Sequence, residues 1–143
     1  MFKKIIILGI FLLLISVCGC GNNAIGQATG YADQFSIITL SSDSFFSAEE
    51  CAKRGLNDKV MMLESKYCGH CKKTQPLFQQ SCEEKGINPI ILDVSVDEQR
   101  RQMESYGIDI RYTPTFVFGC DYYIGAKEKE EYSALLDEFL SKG

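Results

Sequence analysis

The chain has 143 residues, 45% of them hydrophobic, with nine Phe and seven Tyr, which is apolar material for one packed domain and argues against disorder. Its net charge is −4 and no run interleaves basic with aromatic residues, so no nucleic-acid partner is expected. Seven cysteines are many for a reduced cytosolic protein and point to an oxidising compartment.

Met1-Phe2-Lys3-Lys4 is a short basic start, and Ile5 to Val17 is an almost unbroken apolar run. Such a run is short for a bilayer span and suits a secretory signal. Val17-Cys18-Gly19-Cys20 resembles a bacterial lipoprotein signal, with Cys20 as the lipidated new N-terminus and Cys18 the less suitable candidate. A diacyl anchor would hold the protein on a membrane surface. Cleavage before Cys20 removes Lys3 and Lys4 but no acid, leaving thirteen basic against nineteen acidic residues, so anionic lipid should not attract the mature chain. The expected organisation is a signal peptide over 1–19, a Gly-, Asn- and Ala-rich tether over 20–35, and a domain over 36–143.

Phe35-Ser36-Ile37-Ile38-Thr39-Leu40 reads as a short strand and Ser41 to Phe46 as a turn-rich connection. Ser47 with Glu50 predicts a capping box, stapled by Phe46 and Cys51. The helix it opens runs from Ala48 to about Arg54 and ends at Gly55. Cys51 then reads as a small packed residue rather than a reactive thiol. Val60 to Glu64 is an apolar run with the look of a buried strand.

That strand leads into Tyr67-Cys68-Gly69-His70-Cys71 and a helix from about Cys68 to Lys85, kinked at Pro76 and closed by Gly86. A helix start carries partial positive charge and unpaired N–H groups, so it stabilises a thiolate. A stabilised thiolate is a nucleophile near neutral pH, and a second thiol one turn on closes a disulfide onto it. Cys71, Phe78 and Cys82 share one helical stripe. Cys71 and Cys82 are therefore expected inside and Cys68 exposed, so that Cys68 attacks and Cys71 resolves. Half a zinc site would need a second close pair of ligands. His70 is the one histidine, and Cys51, Cys82 and Cys120 are far apart in sequence; these three can hold at most one further disulfide among them, and geometry decides which.

Pro89 to Val96 has the apolar, β-branched character of a central strand. Asp97 is expected to cap a helix from Glu98 to Ser105, ended by Gly107. Tyr112-Thr113-Pro114 precedes a strand Thr115–Phe118. Gly119-Cys120-Asp121 reads as a hairpin turn, with Cys120 exposed at its tip, leading into Tyr122 to Gly125. Lys127 to Leu140 is a final amphipathic helix with Tyr132, Leu135, Leu136, Phe139 and Leu140 as its stripe. Strands alternating with helices imply an α/β fold: a central mixed sheet, mostly parallel with a terminal antiparallel hairpin, covered by helices on both faces.

From about Phe35 to Leu140 the chain resembles a thioredoxin-fold protein. Tyr67 to Cys71 matches the aromatic-Cys-Gly-X-Cys centre, Lys72 and Pro76 the helix that follows, and Thr113-Pro114-Thr115 the cis-proline loop. Gly125-Ala126 before the last helix matches the family's ending. The resemblance implies thiol–disulfide exchange with protein substrates and a redox partner, with the Cys68–Cys71 disulfide as the redox group and no metal or organic cofactor. It also implies that Tyr67, Gly69, Thr113 and Pro114 contact substrate backbone; a cis bond before Pro114 is physically reasonable. The Gly69-His70 dipeptide is that of protein disulfide isomerase centres, and a histidine beside the nucleophile favours its thiolate. Reductases of the family usually carry a buried acid six residues before the first cysteine. Met62 stands there, and Glu64, on the same face of the strand, is the candidate proton acceptor. Two residues are added around Asp109 to Tyr112, a loop expected to be shaped for a partner.

The expected protein is an extracytoplasmic, membrane-anchored thiol–disulfide oxidoreductase of undetermined direction. The alternatives are a non-catalytic thioredoxin-fold lipoprotein that binds a protein partner, and a metal-handling dithiol protein.

Overall fold

The computed structural model describes residues 36–143; the signal peptide, the tether, Cys18 and Cys20 lie outside the described residues. Eleven elements follow in order: β1 (Ile38–Leu40), β2 (Ser44–Phe45), α1 (Ala48–Arg54), β3 (Val60–Glu64), α2 (Gly69–Glu84), β4 (Ile90–Asp93), α3 (Asp97–Ser105), β5 (Ile108–Ile110), β6 (Thr115–Phe118), β7 (Asp121–Ile124) and α4 (Lys129–Lys142). Two short strands were not expected. β2 lies within the stretch read as turn-rich, and β5 takes up part of the supposed inserted loop, pairing with β1.

The central sheet has the order β2-β7-β6-β3-β4. Its mixed character agrees with expectation, but "mostly parallel" does not hold. β3–β4 is parallel, whereas β3–β6, β6–β7 and β2–β7 are antiparallel. The reason is local: β3 and β4 are joined through a helix, whereas β6 turns straight back into β7 through Gly119 and Cys120. β4 is an edge strand rather than a central one, with Ile90, Ile91 and Asp93 only half-buried.

Alternation along β3 splits the core in two. Met61 and Leu63 face a cluster with Cys51, Leu56 and Met103, under α1 and α3. Val60 and Met62 face the other, with Cys71, Phe78, Cys82, Tyr132 and Leu136 from α2 and α4. Helices therefore cover both faces, as expected. In the second cluster Phe78, Phe116 and Tyr132 pack with ring centroids 4.9–5.5 Å apart, a geometry that contributes roughly 0.5–1.5 kcal/mol per pair beyond area burial. Leu140 leaves the predicted stripe of α4, at 49% exposure.

Several caps differ from the sequence reading. Ser47 Oγ accepts the Glu50 amide, but the return half of the box is absent. The Glu50 carboxylate instead takes two bonds from Arg54. Arg54 is buried and also donates to the Ser36 and Gly107 carbonyls, tying α1 to the end of α3. Val96 rather than Asp97 is the N-cap of α3, so Asp97 is its first residue and makes an i,i+3 ion pair with Arg100. α4 begins two residues later than read, where the Glu131 carboxylate accepts the Glu128 amide.

The β6–β7 turn carries the largest departure. Gly119 has φ +61°, and a Cβ there would meet Phe139 at 3.1 Å and the Asn57 carbonyl at 3.2 Å, so glycine suits it on both counts. Beside it Cys120 is not a free exposed tip: it is half-buried and disulfide-bonded to Cys51. Cys51 is packed in the core as expected, but as half of that bridge. Among the described residues Cys82 is the free cysteine, fully buried, and burial pushes its thiol up to about 12.

Candidate active site

The β3–α2 junction presents the dithiol. Cys68 and Cys71 are joined as a disulfide. Cys68 is the N-cap of α2, with extended backbone, and its Sγ accepts the Cys71 amide at 3.1 Å. A sulfur in this position receives one of the orphan N–H groups of a 16-residue helix and faces its positive end. Both effects favour a thiolate on Cys68 once the disulfide opens. Cys71 is fully buried against Met62 and Phe78, while Cys68 is half-exposed. The asymmetry expected from the 71/78/82 stripe is therefore present. The helix continues across Pro76, which lies on its exposed side.

The Thr113–Pro114 peptide bond is cis. Pro114 is buried, and the Thr113 carbonyl lies 3.5 Å from Cys68 Sγ. Thr115 Oγ1 donates to the Tyr112 carbonyl at 2.7 Å, bracing the loop. Antiparallel pairing of β6 with β3 brings residues 45 positions apart in sequence to one edge. Tyr67, Gly69 and His70 are exposed around the disulfide, Tyr67 at 79%, so the dithiol opens onto a surface.

Glu64 ends β3 on the face that carries Met62. β3–β4 register sets it opposite Asp93, a neighbour that sequence reading did not find because it depends on strand pairing. Burial and the Asp93 charge raise the Glu64 pKa, with Lys72 opposing them. For Asp93, burial acts upward but is outweighed by bonds from the Ser95 hydroxyl and amide and the influence of Lys66, which hold it below the ordinary range. Two adjacent carboxylates are thus pushed apart, Asp93 towards the anion and Glu64 towards holding a proton. Among the described residues no group of three or more His, Cys, Asp or Glu is placed to hold a metal ion.

A thioredoxin family model matches residues 37–139. The chain belongs to the thioredoxin family. Among solved structures it is similar to the germline-specific thioredoxin Deadhead of Drosophila melanogaster, at 18% identity over 69% of this chain and 98% of that one, with a TM-score of 0.45. It is also similar to chloroplastic thioredoxin z, at 15% identity over 71% and 97% with a TM-score of 0.46, and to a Malassezia sympodialis thioredoxin, at 24% identity over 73% and 91% with a TM-score of 0.44. The family assignment rests on the match over 37–139. It supports a thiol–disulfide redox function acting on protein disulfides.

Proposed function

We propose that this protein is an extracytoplasmic thiol–disulfide oxidoreductase, held on a membrane by a lipid on Cys20, that exchanges disulfides with protein substrates through Cys68 and Cys71. The observation that carries the reading is the Cys68 sulfur capping α2 while Cys71 lies buried behind it. In the reducing direction the Cys68 thiolate attacks one sulfur of a substrate disulfide and expels the other as a thiolate. Cys71 then gives up its proton and attacks the Cys68 sulfur, releasing the second substrate thiolate and closing the Cys68–Cys71 disulfide. The reverse sequence oxidises a substrate dithiol. No metal or organic cofactor takes part. Glu64, with its raised pKa, receives the Cys71 proton in the first case and returns it in the second. His70, exposed beside the nucleophile, favours the Cys68 thiolate when protonated. Tyr67, Gly69, Thr113 and Pro114 form the surface against which substrate backbone lies.

The second disulfide supports the location. A bridge between residues 69 apart, with one sulfur in the core, belongs to proteins that fold where thiols oxidise. The test is insulin reduction by dithiothreitol, followed by turbidity. Acceleration by the wild type that disappears in Cys68→Ser is the expected result. No acceleration, or acceleration that survives the substitution, refutes the reading. Cys71→Ser should accumulate mixed disulfides with client proteins, which a non-catalytic binder would not. Mass determination of the membrane-extracted protein tests the anchor, since a diacyl group on Cys20 adds a defined mass.

A further inference from the structure

Four cations stand on the two segments that meet at the dithiol. Lys66 and Tyr67 come immediately before Cys68, and Lys72 and Lys73 lie in the first turns of α2. Arg111 and Tyr112 arrive from the far side, on the loop whose Thr113 carbonyl reaches Cys68 Sγ. Lys66 Nζ stands 5.1 Å from the centroid of the Tyr67 ring, and the Arg111 guanidinium 5.8 Å from that of Tyr112. The disulfide is thus bordered on two sides by an exposed aromatic ring with a cation over its face.

This grouping stands out against the rest of the protein. Of the nine other cations among the described residues, seven, including Lys85, Arg100 and Lys129, are held in ion pairs with carboxylates, and only Arg101 and Lys127 are not. None of these four is so paired among the described residues; Lys66 and Lys72 feel the half-buried Asp93 and Glu64 only at longer range. In a protein with net charge −4, four of the six described cations without an ion pair therefore stand on the segments that meet at the dithiol. Like charges on one surface repel, and in the free protein only Asp93 and Glu64 offset them, at longer range. A partner carrying the opposite charge would be steered to the dithiol and rewarded on docking.

We infer that the substrates of this dithiol are proteins whose exchanging cysteines lie in an acidic segment. The inference rests on the exchange activity proposed above and adds the chemistry of its substrate. Lys66 and Arg111 act as specificity residues on the two sides of the cleft.

The test uses three peptides with the same intramolecular cystine, flanked by Asp and Glu, by Ser and Asn, or by Lys. Reduced full-length protein is mixed with each in a single turnover without added reductant, so that one peptide disulfide becomes two thiols as Cys68–Cys71 oxidises. The acidic peptide should react on the order of tenfold faster than the neutral one and the Lys peptide more slowly, with the spread collapsing at high salt. Lys66→Glu combined with Arg111→Glu should lower or invert the acidic-to-neutral ratio. Equal rates for all three peptides would overturn the inference and leave the exchange activity standing. No reaction with any peptide would refute the activity itself and this inference with it. Equal rates combined with stronger binding to phosphatidylglycerol than to phosphatidylcholine vesicles would assign the cations to a lipid surface and overturn the proposal.

Discussion

Two disulfides of this protein use the same bond for opposite ends. Cys68–Cys71 spans three residues, sits at a helix start, and leaves one sulfur half-exposed beside a cis-proline loop. Cys51–Cys120 spans 69 residues, ties α1 to the β6–β7 turn, and has Cys51 sealed in the core. A short closed loop removes little entropy from the unfolded chain, so opening Cys68–Cys71 costs the fold little. A loop of about seventy residues removes much more, on the order of 4 kcal/mol in the chain-entropy model. Surroundings differ as well, since Cys51 is sealed in the core and the half-buried Cys120 is the sulfur of that bridge nearer to solvent. Sequence separation and surroundings, rather than the bond, therefore separate the redox group from the brace. Cys82 completes the contrast: a buried thiol whose pKa is pushed up to about 12 takes neither part.

The sharpest break between the two bridges is in activity. Cys68→Ala should abolish catalysed insulin reduction and leave the folded protein, whereas Cys51→Ala with Cys120→Ala should keep the rate per folded molecule. Stability should show the reverse. In urea melts the Cys51/Cys120 double variant should lose roughly 4 kcal/mol, and a loss under about 1 kcal/mol would deny that bridge its bracing role. Next in size is Tyr132→Phe, which removes a buried hydroxyl bonded to Thr74 on α2 and to the Lys127 amide. It should cost about 1–2 kcal/mol in the same melts while sparing the Cys51–Cys120 bridge. The smallest effect is at Glu64. Glu64→Gln, with both active-site thiols intact, should slow resolution of the Cys68–substrate mixed disulfide by Cys71 roughly tenfold near neutral pH. It should also alter the pH dependence of stability. The folded-state pKa of Glu64 lies above the ordinary 4.5, so between those two values the folded protein holds a proton that the unfolded chain gives up. Stability from this group falls as pH rises through that window, and the Gln variant should lack that decline in melts across mildly acidic pH.

Much of this protein was legible along the chain because the signals are local. The apolar run Val60–Leu63, the paired thiols, the 71/78/82 stripe and the helix-ending glycines are each written within a turn or two of backbone. They suffice for the helices, for β3 and for the half-exposed Cys68 beside the buried Cys71. Family resemblance added Thr113–Pro114. What failed was whatever depended on a distant neighbour. Ser47–Glu50 reads as a capping box, but Arg54 claims the carboxylate because its guanidinium is drawn into the carbonyls at the end of α3. Cys120 reads as an exposed turn residue because nothing near it in sequence announces Cys51.

By itself, then, the order of residues determined the helices and which of the paired thiols is half-exposed and which buried, since helical periodicity and helix-end chemistry act over a few residues. Only the tertiary structure decided the strand directions, the Cys51–Cys120 pairing, the Glu64–Asp93 neighbourhood and the meeting of the Lys66 and Arg111 segments at the dithiol. Each of these joins groups tens of residues apart, and their meeting is set by how the sheet closes and packs rather than by any local preference.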